Sequence, residues 1–170
     1  KPFRVNDRLK IRELTGIVED ITLRHTVIRD FENKRIVIPN SLISDEIIIN
    51  ADFANEKICK WIDIGISYDT DLDLAKHIMA DEILNHLLHL DPRKPEEVEL
   101  GLPEVPVRVI GLGESSVNLR AWAWAKDSPD AFVLQCDLLE SIKKRFDREG
   151  VEIPFPHRTM VFKNAIPTDK

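Results

Sequence analysis

Three groups of residues in this chain have types and spacing that could do chemistry, and each reads better as structure. His86 and His89 lie three apart in a stretch of helical periodicity, a spacing that could turn two imidazoles toward one metal ion. No Cys or carboxylate of motif quality accompanies them, so the expectation is a surface pair of histidines. Asp69, Asp71 and Asp73 alternate as at the start of a calcium loop. No glycine follows at the sixth loop position, where Ala75 takes either that place or the one beside it, and helix signals begin at once; helix capping accounts for them better. Gly111-Leu112-Gly113-Glu114-Ser115-Ser116 sets two glycines beside two serines, but without the Lys or the spacing of a phosphate loop, and it joins two strand-like runs. Neither serine has a His-acid signature next to it, and no Gly-x-Ser-x-Gly occurs. No segment supplies a nucleophile, a general base and an oxyanion site together. The chain is therefore expected not to be an enzyme: no catalytic residue, no metal ligand and no cofactor.

The elements that position these residues fall into two patterns. From Pro2 to Asn50, five short runs rich in β-branched residues (Arg8 to Arg12, Ile17 to Leu23, Thr26 to Phe31, Arg35 to Ile38, Glu46 to Ile49) are punctuated by Asn6-Asp7, Thr15-Gly16, Glu32-Asn33-Lys34 and Pro39-Asn40-Ser41. Strands this short and this regularly spaced predict a small β-barrel with at most a helical turn near Ser41. A boundary follows near Asp52 to Lys57. Beyond it, Ile58 to Ser67 reads as a strand, Asp71 to Leu90 as a helix, Val105 to Leu112 and Val117 to Ala125 as strands, Pro129 to Glu149 as a helix and Arg158 to Lys163 as a last strand. That β-α-β-β-α-β order is the ferredoxin-like split motif. The fold class expected is thus α+β, with a small Sm-like or SH3-like barrel at residues 1–56, a ferredoxin-like α/β sandwich at 57–157 and a C-terminal strand and tail at 158–170.

The helices are expected to be one-sided covers for a sheet. In the first, Asp69 and Thr70 offer cap oxygens, and Leu72, Ala75, Met79, Ile83, Leu87 and Leu90 form a stripe that Asp91-Pro92 ends. In the second, Ser128 caps, Pro129 takes the first turn, and Phe132, Cys136, Leu139 and Phe146 line one face as far as Gly150. Along Val117 to Ala125 the odd positions are small and apolar, whereas the even ones are Asn118, Arg120, Trp122 and Trp124. Ile62, Ile64 and Ile66 alternate with Trp61, Asp63 and Gly65. All three tryptophans therefore share the face the helices do not cover. Such aromatic area calls for another domain or subunit, or for burial beneath the chain's own barrel. Between the helices, residues 92–106 carry four prolines and read as an extended, exposed connection. Pro154-Phe155-Pro156-His157 reads as a stiff lead into the last strand.

Composition bounds the function. With 43% apolar and 32% charged residues, the 170-residue chain is ordinary for a globular protein. No apolar run approaches the roughly 18–20 residues that span a bilayer. The chain opens at Lys1-Pro2-Phe3 without an initiator Met or a signal peptide, as if cut from a longer polypeptide. Cys59 and Cys136 are too few for a disulfide framework and are expected to be reduced and structural. The net charge of −6 hides an asymmetry: residues 1–36 sum to +3 and the remainder to −9. A basic first module beside an acidic body fits either an anionic surface for that module or an ordinary mixed-charge surface.

Taken in order, several segments resemble the cytoplasmic domain of the small-conductance mechanosensitive channel (MscS) family. They are Pro2-Phe3-Arg4-Val5-Asn6-Asp7, Gly16-Ile17-Val18-Glu19-Asp20-Ile21, Thr26-Val27-Ile28-Arg29, Ile36-Val37-Ile38-Pro39-Asn40-Ser41, Ile48-Ile49-Asn50, Tyr68-Asp69-Thr70-Asp71, and Phe146 through Gly150 to Ile153-Pro154-Phe155-Pro156. Asn6 stands where the family usually has Gly, and Asn is the next-best residue for a left-handed turn. The resemblance implies a homo-heptamer on the cytoplasmic side of a bacterial inner membrane, joined to it through upstream helices. Membrane tension would open the pore to ions and small osmolytes and so relieve osmotic downshock. It further implies that Thr159, Met160, Val161 and Phe162 form an inter-subunit β-barrel, and that Arg29, Pro39 and Asn40 make subunit or membrane-proximal contacts. Two readings from other classes compete. One is an RNA-binding Sm-like and ferredoxin-like module, against which stand the acidic body and the lack of an aromatic-basic stacking signature, so no nucleic-acid partner is expected. The other is a regulatory domain for a small ligand.

Overall fold

The structure, a computed structural model, describes residues 2–50, 57–158 and 160. In the first stretch, β1 (Arg8–Ile11), β2 (Leu14–Ile21), β3 (His25–Asp30), β4 (Arg35–Pro39) and β5 (Ile48–Asn50) form an antiparallel sheet in the order β4-β3-β2-β1-β5, with a single helical turn, α1 (Asn40–Ser44), before the last strand. The alternating branched residues dictate its core: Phe3, Leu9, Ile11, Val18, Ile28 and Ile43 are buried, with Ile21, Ile38 and Ile48 packed against them. Two expectations shift. The first hairpin turns at Arg12-Glu13, where Arg12 takes φ 53°, so Thr15 and Gly16 belong to β2. Gly16 is required there because β3 passes too close: a Cβ at this position would sit 2.5 Å from the Arg29 carbonyl oxygen. Asn6 does adopt the left-handed conformation, at φ 76°.

A unit of about 50 residues buries little apolar surface, so its polar braces matter. The fully buried Thr26 hydroxyl donates to Asn40 Oδ1 at 2.8 Å, and Asn40 Nδ2 donates to the Thr22 carbonyl at 2.9 Å. At Glu19 the β2–β3 register slips, leaving this residue unpaired in the ladder. Its carboxylate accepts from Arg35 of β4 at 2.9 and 3.1 Å and lies 3.8 Å from Arg29 of β3. Arg12 pairs with Glu46, and Arg8 stacks on Phe31. Glu19 is already counted in the local sum, so of these pairs only Arg12–Glu46 draws on the +3 excess of residues 1–36.

In the second stretch, β6 (Ile58–Ile66), α2 (Leu72–Leu84), α3 (Pro95–Glu99), β7 (Val107–Leu112), β8 (Val117–Ala125) and α4 (Ser128–Glu149) follow one another. The three strands are antiparallel in the order β6-β8-β7. Burial along β8 alternates strictly, with Val117, Leu119, Ala121, Ala123 and Ala125 inside. Alanine faces let α2 and α4 lie close on the sheet, and Ala75, Ile78, Met79, Ile83, Leu134, Leu138, Ile142 and Phe146 complete the core. Arg145 of α4 binds the two helices together through Asp81 and Glu82 of α2, and Glu149 one turn on holds its guanidinium in place.

Four sequence expectations need correction. The helix α2 stops at Leu84: the Asn85 amide and side chain both donate to the Asp81 carbonyl, at 3.1 and 2.8 Å, and the His86 amide turns to the Ile83 carbonyl; Leu87, placed on the stripe by spacing, is 97% exposed, and Ile78 takes a core position instead. The cap of α2 is Asp71, accepting from the amides of Asp73 and Leu74. The cap of α4 is Asp127 rather than Ser128, and its buried face is Ala131-Leu134-Leu138-Ile142-Phe146, so Phe132 and Leu139 are exposed. The 92–106 connection is not wholly extended: Pro95 opens the short α3, and Glu97 reaches back to accept from the Lys94 amide at 2.8 Å. Gly150, at φ 76°, ends α4 as the sequence predicts. Residues 154–158 are described without regular structure, and most of the strand expected over 158–163 lies outside the described residues.

Substituting Gly16→Ala drives a methyl group into the β3 backbone and should cost about 1–3 kcal/mol. Ala123→Leu, which overfills the helix–sheet contact, should cost a similar amount. Chemical denaturation of the variants checks both; unchanged midpoints would show that these close approaches are not rigid.

Candidate functional site

The face of the β6-β8-β7 sheet turned away from the helices carries the residues that the fold does not consume in packing. Trp61 and Trp122 sit opposite each other across β6 and β8, and Asp63 sits opposite Arg120. Arg120 donates to both Asp63 oxygens at 2.7 Å and stacks 4.0 Å from the Trp61 ring, which is still 55% exposed. Beyond them, Trp122 and Trp124 floor an open groove of about 970 Å³ walled by Pro92, Arg93, Lys94, Leu102 and Pro106, with Arg108 and Lys57 at its margin.

The wall is held by polar contacts. Arg93 clamps Asp91 through Nε and Nη2, donates to the Leu102 carbonyl at 2.9 Å, and reaches Glu104 at 3.0 Å. Its guanidinium holds the Asp91 carboxyl well below the usual range, at about 2. Behind the wall lies His89, whose side chain is only 2% exposed. The Trp124 amide donates to His89 Nδ1 at 3.3 Å, which leaves the ring proton on Nε2, and the Leu90 amide donates to the Trp124 carbonyl at 2.9 Å. Nε2 points toward Glu104 Oε1 at 3.5 Å but makes no hydrogen bond among the described residues, and burial pushes the imidazole pKa down.

His89 is thus a buried stitch between the exit of α2 and the end of β8, not a surface residue. His86 is separate: its Nδ1 accepts from the Leu88 amide, and Nε2 lies 3.3 Å from Asp137 of α4. No group of three or more His, Cys, Asp or Glu side chains among the described residues is placed to hold a metal. The glycine-serine segment is the β7–β8 connection, closed by the Gly113 amide on the Ser116 carbonyl at 2.7 Å; Tyr68 and His157 bond to it through Gly113 and Ser115. Cys59 and Cys136 are free thiols. Of the interface residues expected near the C-terminus, Met160 is 76% exposed, and Thr159, Val161 and Phe162 lie outside the described residues. Arg29 and Pro39 are at the surface of the first unit, whereas Asn40 is committed to its internal brace. Arg93, the hub of the groove wall, is the residue that sequence reasoning missed. Its only signal is the Asp91-Pro92-Arg93 turn, and its other partners lie nine and eleven positions away.

Comparison with known proteins gives this architecture a class. Residues 1–52 match the family description "Mechanosensitive ion channel, beta-domain", and residues 62–153 match "Mechanosensitive ion channel MscS, C-terminal". The chain belongs to the MscS family of mechanosensitive channels. It is 33% identical over 157 residues to an MscS family protein of Synechocystis, covering 92% of this chain and 49% of the relative. It is 32% identical to the large-conductance mechanosensitive channel MscMJLR of Methanocaldococcus jannaschii, covering 96% and 44%. The crystal structure of Helicobacter pylori MscS in its closed state superposes with a TM-score of 0.81 at 25% identity, covering 96% of this chain and 60% of that one. The chain spans about half the length of the curated relatives it matches. Among the described residues no helix is long and apolar enough to cross a membrane. The RNA-binding alternative gains no support from these matches.

Acid should loosen the groove wall in two steps. The lowered His89 pKa means that the unfolded chain binds the proton more tightly, so stability falls as pH drops below about 6.5. The lowered Asp91 pKa gives a contribution present above 3.8 and lost as pH falls through about 2. Melting followed by Trp fluorescence should show both limbs, with His89→Gln flattening the first and Asp91→Asn the second; a limb left intact by its variant belongs to another group.

Proposed function

We propose that this chain is the extramembrane vestibule segment of a homo-heptameric channel that opens under membrane tension and passes ions and small osmolytes on osmotic downshock. The observation that carries the reading is the ordered match of both segments to the two MscS domains, with a closed-state MscS structure superposing across 96% of the chain. In this reading the first unit is a small Sm-like barrel beneath the bilayer on the cytoplasmic side, and upstream helices supply the pore. Arg4, Lys10 and Arg24, whose side chains engage no carboxylate among the described residues, suit an anionic leaflet.

The second unit is a ferredoxin-like sandwich. Its β6 lies at the edge of the sheet, where that topology places a fourth strand, and the chain leaving α4 returns to the end of β6 through the Ser67 amide on the Glu152 carbonyl at 2.9 Å. Thr159, Met160, Val161 and Phe162 then pair with their copies in neighbouring subunits, which hides an exposed edge. Arg29, Pro39 and Asn40 remain candidates for subunit or membrane-proximal contacts, Asn40 through its backbone and the turn it braces.

Full-length protein expressed in cells stripped of their own mechanosensitive channels should restore survival of hypoosmotic shock and give suction-activated currents in excised patches. Native mass spectrometry of the purified protein should give a seven-copy particle. Absence of tension-gated current with the protein present in the membrane would overturn the channel reading; a particle of different stoichiometry would overturn the heptamer alone.

A further inference from the structure

We infer that the tryptophan-floored groove of one copy receives the exposed apolar face of α4 from the next copy, so that subunits stack sheet face against helix layer. The inference rests on the self-association reading above and adds to it the two surfaces involved. A two-layer sandwich has two unlike outer surfaces, and here each carries apolar area beyond what its own core uses. On α4, Phe132, Cys136 and Leu139 follow one another at i, i+4 and i+7 and are all exposed, roughly a third of a turn round the helix from the buried Leu134-Leu138-Ile142 face. A helix that covers a sheet needs one apolar stripe; this one has two. On the opposite side of the layer, Trp122, Trp124 and Leu102 give an apolar floor and wall to the open groove of about 970 Å³, room for several large side chains.

Charge distinguishes a second copy from other occupants. From residue 128 to 142, α4 carries Asp130, Asp137 and Glu140 and no Lys or Arg; Asp137 faces His86 and Glu140 pairs with Lys144 of the same copy, whereas the Asp130 side chain meets no basic partner among the described residues. The groove is bordered by Lys57, Arg93, Lys94 and Arg108 against Glu97 and Glu104. Glu104 is already engaged by Arg93, and Glu97 by the Lys94 amide, whereas the Lys94 and Arg108 side chains engage no carboxylate among the described residues. An acidic, apolar helix half thus meets a basic, aromatic groove. Because the two surfaces differ, the contact is head-to-tail, the kind that closes into a ring when the rotation between copies allows.

Disulfide trapping in the full-length, membrane-embedded protein tests this. Native Cys136 is kept, Leu102→Cys is introduced in the groove, and Cys59→Ser and serine at any further cysteine remove other thiols. The two sites lie on opposite sides of one sandwich, so oxidation should link different copies and give a ladder of covalent multimers on denaturing gels, with Cys136 alone giving none. Adding Phe132→Asp, an exposed substitution, should cut the ladder at least tenfold with an unchanged melting temperature. If the protein assembles on native gels but yields no ladder, or if Cys136 alone dimerises, the groove has another occupant and the inference fails while self-association stands. If the protein is a single copy in the membrane, both fail. A ladder that Phe132→Asp leaves untouched overturns the assigned helix face.

Discussion

Strand β8 constrains the second unit more than any other element, because its two faces are made of side chains of opposite size. Alanines at 121, 123 and 125 remove bulk where α2 and α4 press on the sheet, so the helices can settle onto a flat surface and fill the space with Ile78, Leu134, Leu138 and Phe146. Val117 and Leu119 fill the same inner face toward the start of the strand, and the aromatic side chains of β8 project the other way. Trp122 and Trp124 do so as a pair two residues apart, and Arg120 spans to Asp63 and the Trp61 ring on the neighbouring strand.

The groove over that face is shaped by charge pairing rather than by apolar packing. Arg93 meets a carboxylate two residues back, a backbone carbonyl nine residues on and a second carboxylate eleven residues on, fixing a proline-rich loop whose one core residue, Val105, lies at its far end. A planar guanidinium with five donors can satisfy this many directions at once, which an ammonium cannot. Behind it, His89 trades solvation for a backbone hydrogen bond to Trp124 and so ties the loop to the floor it covers. The first unit shows the same economy in Asn40, whose amide satisfies both the buried Thr26 hydroxyl and the Thr22 carbonyl, and in the Glu19 bulge, which gathers two arginines from adjacent strands. The bulge leaves the charge of residues 1–36 at +3, because Glu19 is one of the acids already in that sum.

Strands were the most legible part of this chain. The bounds of β8 follow from alternation alone, and the strands of the first unit fall within a few residues of where branched runs and turn residues place them. Helix faces were read less well for a physical reason. In α4 the residues Phe132, Cys136, Leu139 and Phe146 do form an apolar stripe, but a second one, Ala131-Leu134-Leu138-Ile142-Phe146, shares its last member. Periodicity cannot say which of two stripes meets the sheet; packing against alanines chose the second. Past Leu84 the apolar spacing continues through Leu87 and Leu90 while the backbone turns at Asn85, and a C-cap of this kind leaves no mark on periodicity. Asn6 marks its left-handed turn in the sequence, whereas Arg12 does not, since Arg carries no turn signal and is driven to positive φ by the two-residue hairpin around it.

The order of short branched runs, the Pro39-Asn40-Ser41 segment and the alternation along β8 determined, without any coordinates, the family and the presence of an uncovered tryptophan face. Local sequence encodes these because strand period and turn chemistry involve only neighbouring residues. The tertiary structure alone decided which α4 stripe stays exposed, that His89 is buried, and that Arg93 gathers Asp91, Leu102 and Glu104 into a wall. Each of these depends on atoms brought together by the path of the chain, which spacing along the sequence does not record.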